Sequence, residues 1–148
     1  MVKEEWRDIE SWNGRYQVSN KGGKVRRVVR DENSKVIRTQ PVSQILNTNG
    51  YFYVNLYGDY SEDGRQRHEF VRVHRLVAEA FLPNLYGLPC VNHLDNNQLN
   101  NDAENLEWCT DRYNTKFSKA QKRLVRNTLD KYDIHPDDKT LRNIMSWL

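Results

Sequence analysis

The segment that most constrains the fold of this chain is residues 90–114, which contains seven asparagines. It opens with a short apolar run that ends at His93, and a second strand-like run follows at 106–109. The next residues have the pattern of a helix start, with Asn114 one turn in. Asparagine and aspartate side chains hydrogen-bond nearby backbone groups and so hold an irregular loop in one shape. The segment therefore predicts two short strands, a fixed loop and a helix, with His93 held against an amide of that helix.

Composition limits the class of protein. The chain has 148 residues, 37% of them hydrophobic, and a mean hydropathy of -0.93, which favours one domain with a modest core, with or without a small appended module. No apolar run approaches the roughly 18 residues of a membrane helix, and the first residues lack a signal-peptide core. The two cysteines provide no disulfide framework. These features predict an intracellular protein without a membrane partner.

Positive charge is concentrated in two segments, although the net charge is only +3. Residues 21–38 contain seven lysines and arginines against two acids, and residues 112–131 contain seven against one. Such segments on either side of a polar centre indicate a polyanionic partner such as nucleic acid. Charge alone leaves open the alternative that both segments are solvated surfaces.

The rest of the sequence predicts mainly strands before residue 74 and helices after it. Alternation and turn signals favour strands at 16–18, 24–30, 51–57 and 69–73, turns at 20–23 and 31–35, a hairpin at Asn49-Gly50 and a loop at 58–67. A helix opens at His74 and closes at Pro83. The helix that contains Asn114 is expected to continue to about residue 131. A last helix from Pro136 carries an apolar stripe, which we expect to dock on the domain rather than form a dimer.

The chemistry of the central segment suits phosphodiester cleavage. A neutral imidazole can take a proton from water near neutral pH. Amide oxygens are hard, neutral ligands of the kind that Mg²⁺ accepts. His93 would supply one base, and Asn92 and Asn114 two oxygen ligands, if the helix packs across the strands. Cleavage needs little more than a metal to stabilise charge and a base to activate water.

At this point the sequence resembles a known family. The run at 91–108, Val-Asn-His-Leu-Asp through Glu-Asn-Leu-Glu-Trp, resembles the HNH motif of homing endonucleases from phages and mobile introns. Residues 73–84 resemble the helix that leads into that motif. Residues 6–20 are similar to a small module that often precedes these nucleases and is associated with DNA binding. The resemblance covers roughly residues 4–118, with three motifs in the right order.

The resemblance implies an α+β fold built on a ββα-metal (His-Me finger) nuclease core. It divides the chain into an N-terminal β-rich DNA-binding module at 1–50, the HNH nuclease core at 51–118 and a C-terminal helical extension at 119–148. It also implies a homing-type endonuclease that uses Mg²⁺, with Mn²⁺ as a substitute, to hydrolyse double-stranded DNA. We expect a monomer rather than a homodimer, acting in the cytoplasm of a phage-infected bacterial cell.

The resemblance also assigns roles to residues. His93 would be the general base, and Asn105 would brace the loop and orient His93. Asn114 would be a metal ligand, and so would Asn92, which stands where many relatives carry Asp. The other amides of the loop, Asn101 among them, are expected to be scaffolding. Phosphate contacts are expected from Lys24, Arg26, Arg27, Arg72, Arg75, Arg112 and Lys116.

Two alternatives remain open at the level of sequence. One is a catalytically inactive protein of the same fold that binds DNA as a regulator, an option that Asn92 in place of Asp keeps open. The other is a zinc site, because Cys90 and His93 have the spacing of zinc ligands and Cys109 lies on the paired strand. No fourth ligand is evident, and zinc would occupy the proposed base.

Overall fold

The computed structural model describes residues 2–116, 124 and 127–133. In chain order the strands are β1 (Trp6–Asp8), β2 (Tyr16–Ser19), β3 (Val25–Arg30), β4 (Val36–Pro41), β5 (Ile45–Leu46), β6 (Phe52–Tyr60), β7 (Gln66–Arg72), β8 (Cys90–His93) and β9 (Leu106–Cys109). The helices are α1 (Val73–Phe81) and α2 (Asp111–Lys116), with a 3-10 turn at Ala103–Asn105. The fold is therefore of mixed α+β type, as the resemblance implied.

The first four strands form one antiparallel sheet in sequence order. Val18 and Val25 face each other across β2 and β3, and both are buried, which confirms the two strands predicted there. Strand β4 was not expected, and neither was β1. Five of the six residues of β4 are exposed, so the strand shows no alternation of apolar and polar residues in the sequence. Its backbone pairing with β3 is what defines it.

Strands β5, β6 and β7 form the second antiparallel sheet. The hairpin predicted at Asn49-Gly50 joins β5 to β6, and Gly50 adopts the positive φ of 84° that such a turn requires. The loop predicted at 58–67 is shorter in the structure than the sequence indicated. Strand β6 continues to Tyr60 and β7 begins at Gln66. Most side chains at that end of the hairpin are exposed, so backbone pairing extends it where the sequence shows only turn-forming and charged residues.

Helix α1 packs between the sheets and the central segment. Val73, Leu76 and Val77 recur at helical spacing, and all three are buried in the main core. The helix ends at Phe81, and Leu82 is extended because Pro83 disfavours a helical conformation in the residue before it. The same buried cluster includes Val18 of the first sheet and Leu106 of β9, so the segments on both sides of residue 50 share one hydrophobic core.

The central segment forms a two-stranded antiparallel ribbon followed by a helix. Strands β8 and β9 pair with Cys90 opposite Cys109 and His93 opposite Leu106, and α2 contacts β8. This order of strand, loop, strand and helix is the one that the sequence predicted.

Part of the C-terminal prediction lies outside the described residues. Residues 127–131 are helical, in agreement with the predicted helix. The segment 117–123 and the apolar stripe after residue 136 belong to the part of the chain that is not described. Among the described residues, no helix is long and apolar enough to cross a membrane.

Candidate active site

His93 ends β8 and is buried, with 5% of its surface exposed. Its Nε2 lies 2.9 Å from the Oδ1 of Asn101, which is 1% exposed. An amide oxygen has no hydrogen to donate, so Nε2 is the donor in this bond and carries the proton. In the neutral ring the lone pair then lies on the other nitrogen, Nδ1.

The rings of His74 and Tyr51 lie beside the ring of His93. The ring centroid of His74, at the start of α1, lies 5.2 Å from that of His93 and 5.0 Å from that of Tyr51. Burial lowers the pKa of His74 to about 3, and repulsion from His93, Arg72 and Arg75 contributes. His74 is therefore neutral at physiological pH. The Tyr51 hydroxyl accepts a hydrogen bond of 3.1 Å from Gln98 of the loop.

Asn105 ties together the two ends of the loop between β8 and β9. Its Nδ2 donates to Asp95 Oδ1 at 2.9 Å and to the carbonyl of Asn100 at 2.8 Å, and its Oδ1 accepts from the amide of Asp95. Burial raises the pKa of Asp95, but hydrogen bonds from Asn100, the amide of Asn97 and Asn105 outweigh this and hold the pKa below its usual value. These contacts fix the loop directly after His93.

Asn92 precedes His93 on β8, and its side chain reaches the neighbouring strand. Its Nδ2 donates to Glu107 Oε1 at 2.9 Å, and the two residues lie directly opposite each other on β8 and β9. This bond turns the nitrogen of the amide toward Glu107. The amide oxygen of Asn92 therefore points away from Glu107, and the Glu107 carboxylate lies on the same face of the ribbon as Asn92.

Helix α2 contacts β8. The thiol of Cys90 donates to Asp111 Oδ1, with 2.7 Å between the sulfur and the oxygen. Cys90 and Asn92 are two residues apart on β8 and share a face. Asp111 and Asn114 are three residues apart on the helix and share a side of it. Asn92 and Glu107 lie opposite each other on the ribbon, and Asn114 is exposed on α2.

The proposed DNA-contacting residues fall into three groups. Lys24, Arg26 and Arg27 lie in or beside β3 of the first sheet. Arg72 and Arg75 flank His74: Arg72 Nε donates to the Tyr53 hydroxyl at 2.9 Å, and Arg75 donates to the carbonyl of Pro89. Arg112 is exposed on α2, and Lys116 is the last residue of that helix.

The residues that sequence reasoning missed are Asn101, Glu107 and Tyr51 as neighbours of the site. Asn101 was counted only as scaffolding. The strand register, once fixed with Cys90 opposite Cys109, would have placed Glu107 opposite Asn92. No comparable signal marks Asn101 or Tyr51, because their contacts with the histidines arise from packing between distant segments.

The zinc alternative finds no support in the geometry. Among the described residues, no group of three or more His, Cys, Asp or Glu side chains is placed to hold a metal ion. Cys90 is bonded to Asp111, and the Nε2 of His93 to Asn101.

Two antiparallel strands, a braced loop and a helix across one face, with a buried histidine at the end of the first strand, form the ββα arrangement of His-Me finger nucleases. Comparison with known proteins agrees. Residues 71–116 match the family model of an HNH endonuclease, and residues 4–57 match the NUMOD4 motif. The chain therefore contains an HNH endonuclease domain, with a NUMOD4 motif in front of it.

Individual relatives are consistent with this family. The chain is 32% identical over 126 residues to DNA endonuclease I-HmuI of Bacillus phage SP01, an alignment that covers 85% of this chain and 61% of the relative. It is 50% identical over 44 residues to the uncharacterized HNH endonuclease L245 of Acanthamoeba polyphaga mimivirus, which is 30% of this chain and 13% of that protein. The chain thus spans about three fifths of the phage protein and a smaller part of the viral one.

A solved structure is also similar. The structure described as DNA binding and cleavage by the HNH homing endonuclease I-HmuI superposes with a TM-score of 0.54 at 27% identity, covering 96% of this chain and 66% of the other. The similarity extends over both the NUMOD4 segment and the HNH segment.

Proposed function

We propose that this chain is a divalent-metal-dependent DNA endonuclease of the homing type, which hydrolyses phosphodiester bonds in double-stranded DNA. The observation that carries the proposal is the buried His93 at the end of β8 in an HNH domain, with its Nε2 hydrogen-bonded to Asn101. The name of the phage relative, a DNA endonuclease, supports DNA as the substrate.

His93 acts as the general base. Nδ1 takes a proton from a water molecule, whose oxygen attacks the phosphorus, and the bond to the leaving 3′ oxygen breaks. The leaving oxygen then receives a proton from solvent. Asn105 keeps the loop after His93 in place, and Asn101 accepts the hydrogen bond of the ring. Burial of the imidazole separates it from bulk water, which strengthens its electrostatic interactions.

The side chains around Asn92 fit a hard divalent cation. Amide and carboxylate oxygens are the ligands that Mg²⁺ prefers, and Mn²⁺ accepts the same set. Asn92 and Asn114 would hold the ion, and the bond from Asn92 to Glu107 leaves the oxygen of the Asn92 amide to face it. When bound, such an ion stabilises negative charge on the phosphate and on the leaving oxygen.

DNA would be held by cationic residues on both sides of the site. Lys24, Arg26 and Arg27 form the contact of the N-terminal module, and Arg72 and Arg75 lie beside His74. Arg112 and Lys116 of α2 would add to this contact. Contacts of this kind position a protein on DNA without reading its sequence. We further propose that the protein acts as a monomer inside a phage-infected bacterium, a setting that the phage relative supports.

The residue at position 92 also supports a second function, that of a DNA-binding regulator. Asn92 supplies an amide where many relatives carry Asp, and its nitrogen is bonded to Glu107. A protein of this fold that could not hold a metal tightly would bind DNA and act as a regulator without cleaving it.

Relaxation of supercoiled plasmid DNA with Mg²⁺ or Mn²⁺ separates the two functions. We expect nicked or linear product from the unaltered chain, no product from His93→Ala, and equal DNA binding by both in EDTA. His68→Ala is the matched control, because His68 is exposed on β7 and lies outside the site. Tight binding without cleavage under either metal would favour the regulator, and cleavage by His93→Ala would remove His93 as the base.

A further inference from the structure

The contact between His93 and Asn101 depends on a segment outside the central ribbon. Asn101 is almost completely buried, and its side chain lies between the imidazole and the turn at 20–23 of the N-terminal module. A β-carbon at Gly23 would lie 2.9 Å from the Cβ of Asn101 and 2.6 Å from the Cγ1 of Val73. Only a glycine leaves room for Asn101 to occupy this position.

The same turn is bonded to the residues that follow Asn101. The amide of Ala103 donates to the carbonyl of Asn20 at 2.9 Å, and the amide of Gly22 donates to Asp102 Oδ1. On the far side, Gln44 donates to the carbonyl of Gly23 at 2.8 Å. The loop at 101–103 is therefore held by hydrogen bonds to the N-terminal module.

We propose that Asn101 is a positioning residue, which holds the His93 ring with Nε2 protonated and Nδ1 directed to the reacting water, and that the Asn20–Gly23 turn holds Asn101 for this purpose. The N-terminal module then contributes to catalysis as well as to DNA binding. The inference rests on the proposed function, because it takes His93 to be the base.

The first test observes the ring without any reaction. In ¹⁵N-labelled full chain, we expect a slowly exchanging ring proton bonded to Nε2 of His93. Asn101→Leu, which keeps the branch at Cγ but has no acceptor, should lose this slow exchange, and Asn101→Asp, which keeps an oxygen, should retain it. A proton on Nδ1 in the unaltered chain, or slow exchange that survives in Asn101→Leu, would overturn the proposal.

The second test separates catalysis from binding. Asn101→Leu should lower the single-turnover rate of plasmid nicking by about 10- to 100-fold, the usual range for loss of a residue that orients a reacting group. Its affinity for a mixed-sequence duplex in EDTA should stay within about twofold, and Asn101→Asp should recover most of the rate. An unchanged rate in Asn101→Leu, or an equal loss of rate and affinity, would contradict a positioning role.

Two adjacent glycines provide a matched pair for the turn. Gly22 and Gly23 have φ values of 67° and 66°, so alanine strains the backbone equally at both. A β-carbon at Gly22 meets nothing within 4 Å, and one at Gly23 meets Asn101. We expect Gly23→Ala, but not Gly22→Ala, to lower the nicking rate and to accelerate exchange of the His93 ring proton. Equal effects of the two variants would remove the turn from the proposal.

The outcomes distinguish this inference from the proposed function. If the unaltered chain cleaves no DNA with either metal, the proposed function fails, and the ring-proton measurement still decides whether Asn101 holds His93. If Gly23→Ala does not fold, as judged by thermal unfolding, the Asn101 variants carry the test on their own.

Discussion

The imidazole rings of His74 and His93 lie with centroids 5.2 Å apart inside the fold, one at the start of α1 and the other at the end of β8. Two imidazolium cations at this separation would repel each other, and burial disfavours a charge on His74. For His74 these effects lower the pKa to about 3. The neighbour of the proposed base is thus kept neutral.

This relationship predicts a pH dependence of stability. Since the pKa of His74 is lower in the folded than in the unfolded protein, the unfolded state binds more protons in acid. The contribution of neutral His74 is complete above about pH 6.5 and is lost as the pH falls from there toward 3. The free energy of unfolding should fall by up to about 1.4 kcal/mol per pH unit in this window. Urea denaturation at pH 7, 6, 5 and 4 measures it.

The variant His74→Gln isolates this contribution. It should reduce the slope of unfolding free energy against pH, whatever its effect on stability at pH 7. The exposed His68 supplies the control, since His68→Gln should leave the slope as it is in the unaltered chain. A slope that is the same in all three proteins would mean that His74 does not titrate in the predicted way.

A second prediction concerns the loop brace. Asn105→Ala removes three side-chain hydrogen bonds, to Asp95 and Asn100. We expect the free energy of unfolding to fall by about 1–3 kcal/mol, and the nicking rate to fall further than DNA affinity. Denaturation and plasmid relaxation measure the two effects.

Asn97→Ala is the control for the brace. Asn97 is exposed in the same loop, and its side chain accepts one hydrogen bond, from the amide of Leu99. It should lower stability by less than about 1 kcal/mol and leave nicking intact. Equal losses in the two variants would mean that Asn105 has no special part in the loop.

The central segment was predictable from sequence because its determinants are local. Asparagines bond to neighbouring backbone, Asn49-Gly50 specifies a tight hairpin, and Pro83 follows closely after α1. Strand β4 was not predictable, because a mostly exposed strand needs no apolar alternation and is defined by its partner. The contact of Asn101 with His93 was hidden for a related reason. It depends on a turn about 80 residues away, and no local pattern distinguishes this fully buried amide from the less buried amides around it.

A third prediction tests the metal site through charge. Asn92→Asp would place a second carboxylate opposite Glu107. Without metal the two negative charges should repel and lower the melting temperature, and with metal they should bind the cation more tightly, by about 10-fold or more. Calorimetric titration with Mn²⁺ and thermal unfolding with and without the ion measure both effects.

Asn97→Asp controls for charge alone, because it adds a carboxylate to an exposed loop position away from Glu107. It should change neither Mn²⁺ affinity nor the metal dependence of melting. If Asn92→Asp binds Mn²⁺ no more tightly than the unaltered chain, Asn92 does not belong to the metal site.

The last prediction distinguishes individual cations of the N-terminal module. Lys24 donates to Glu4 at 3.0 Å, and Arg26 lies 4.1 Å from the centroid of the Trp6 ring and donates to Gln17. Arg27 is exposed, and among residues 2–116 it forms no ion pair. A phosphate contact contributes about 0.9 to the slope of log affinity against log salt concentration. Arg27→Ala should therefore reduce the slope by about one unit, and Lys24→Ala by less, because Glu4 already compensates its charge. Binding of a mixed-sequence duplex from 50 to 200 mM salt measures both slopes, and an unchanged slope in Arg27→Ala would remove this residue from the DNA contact.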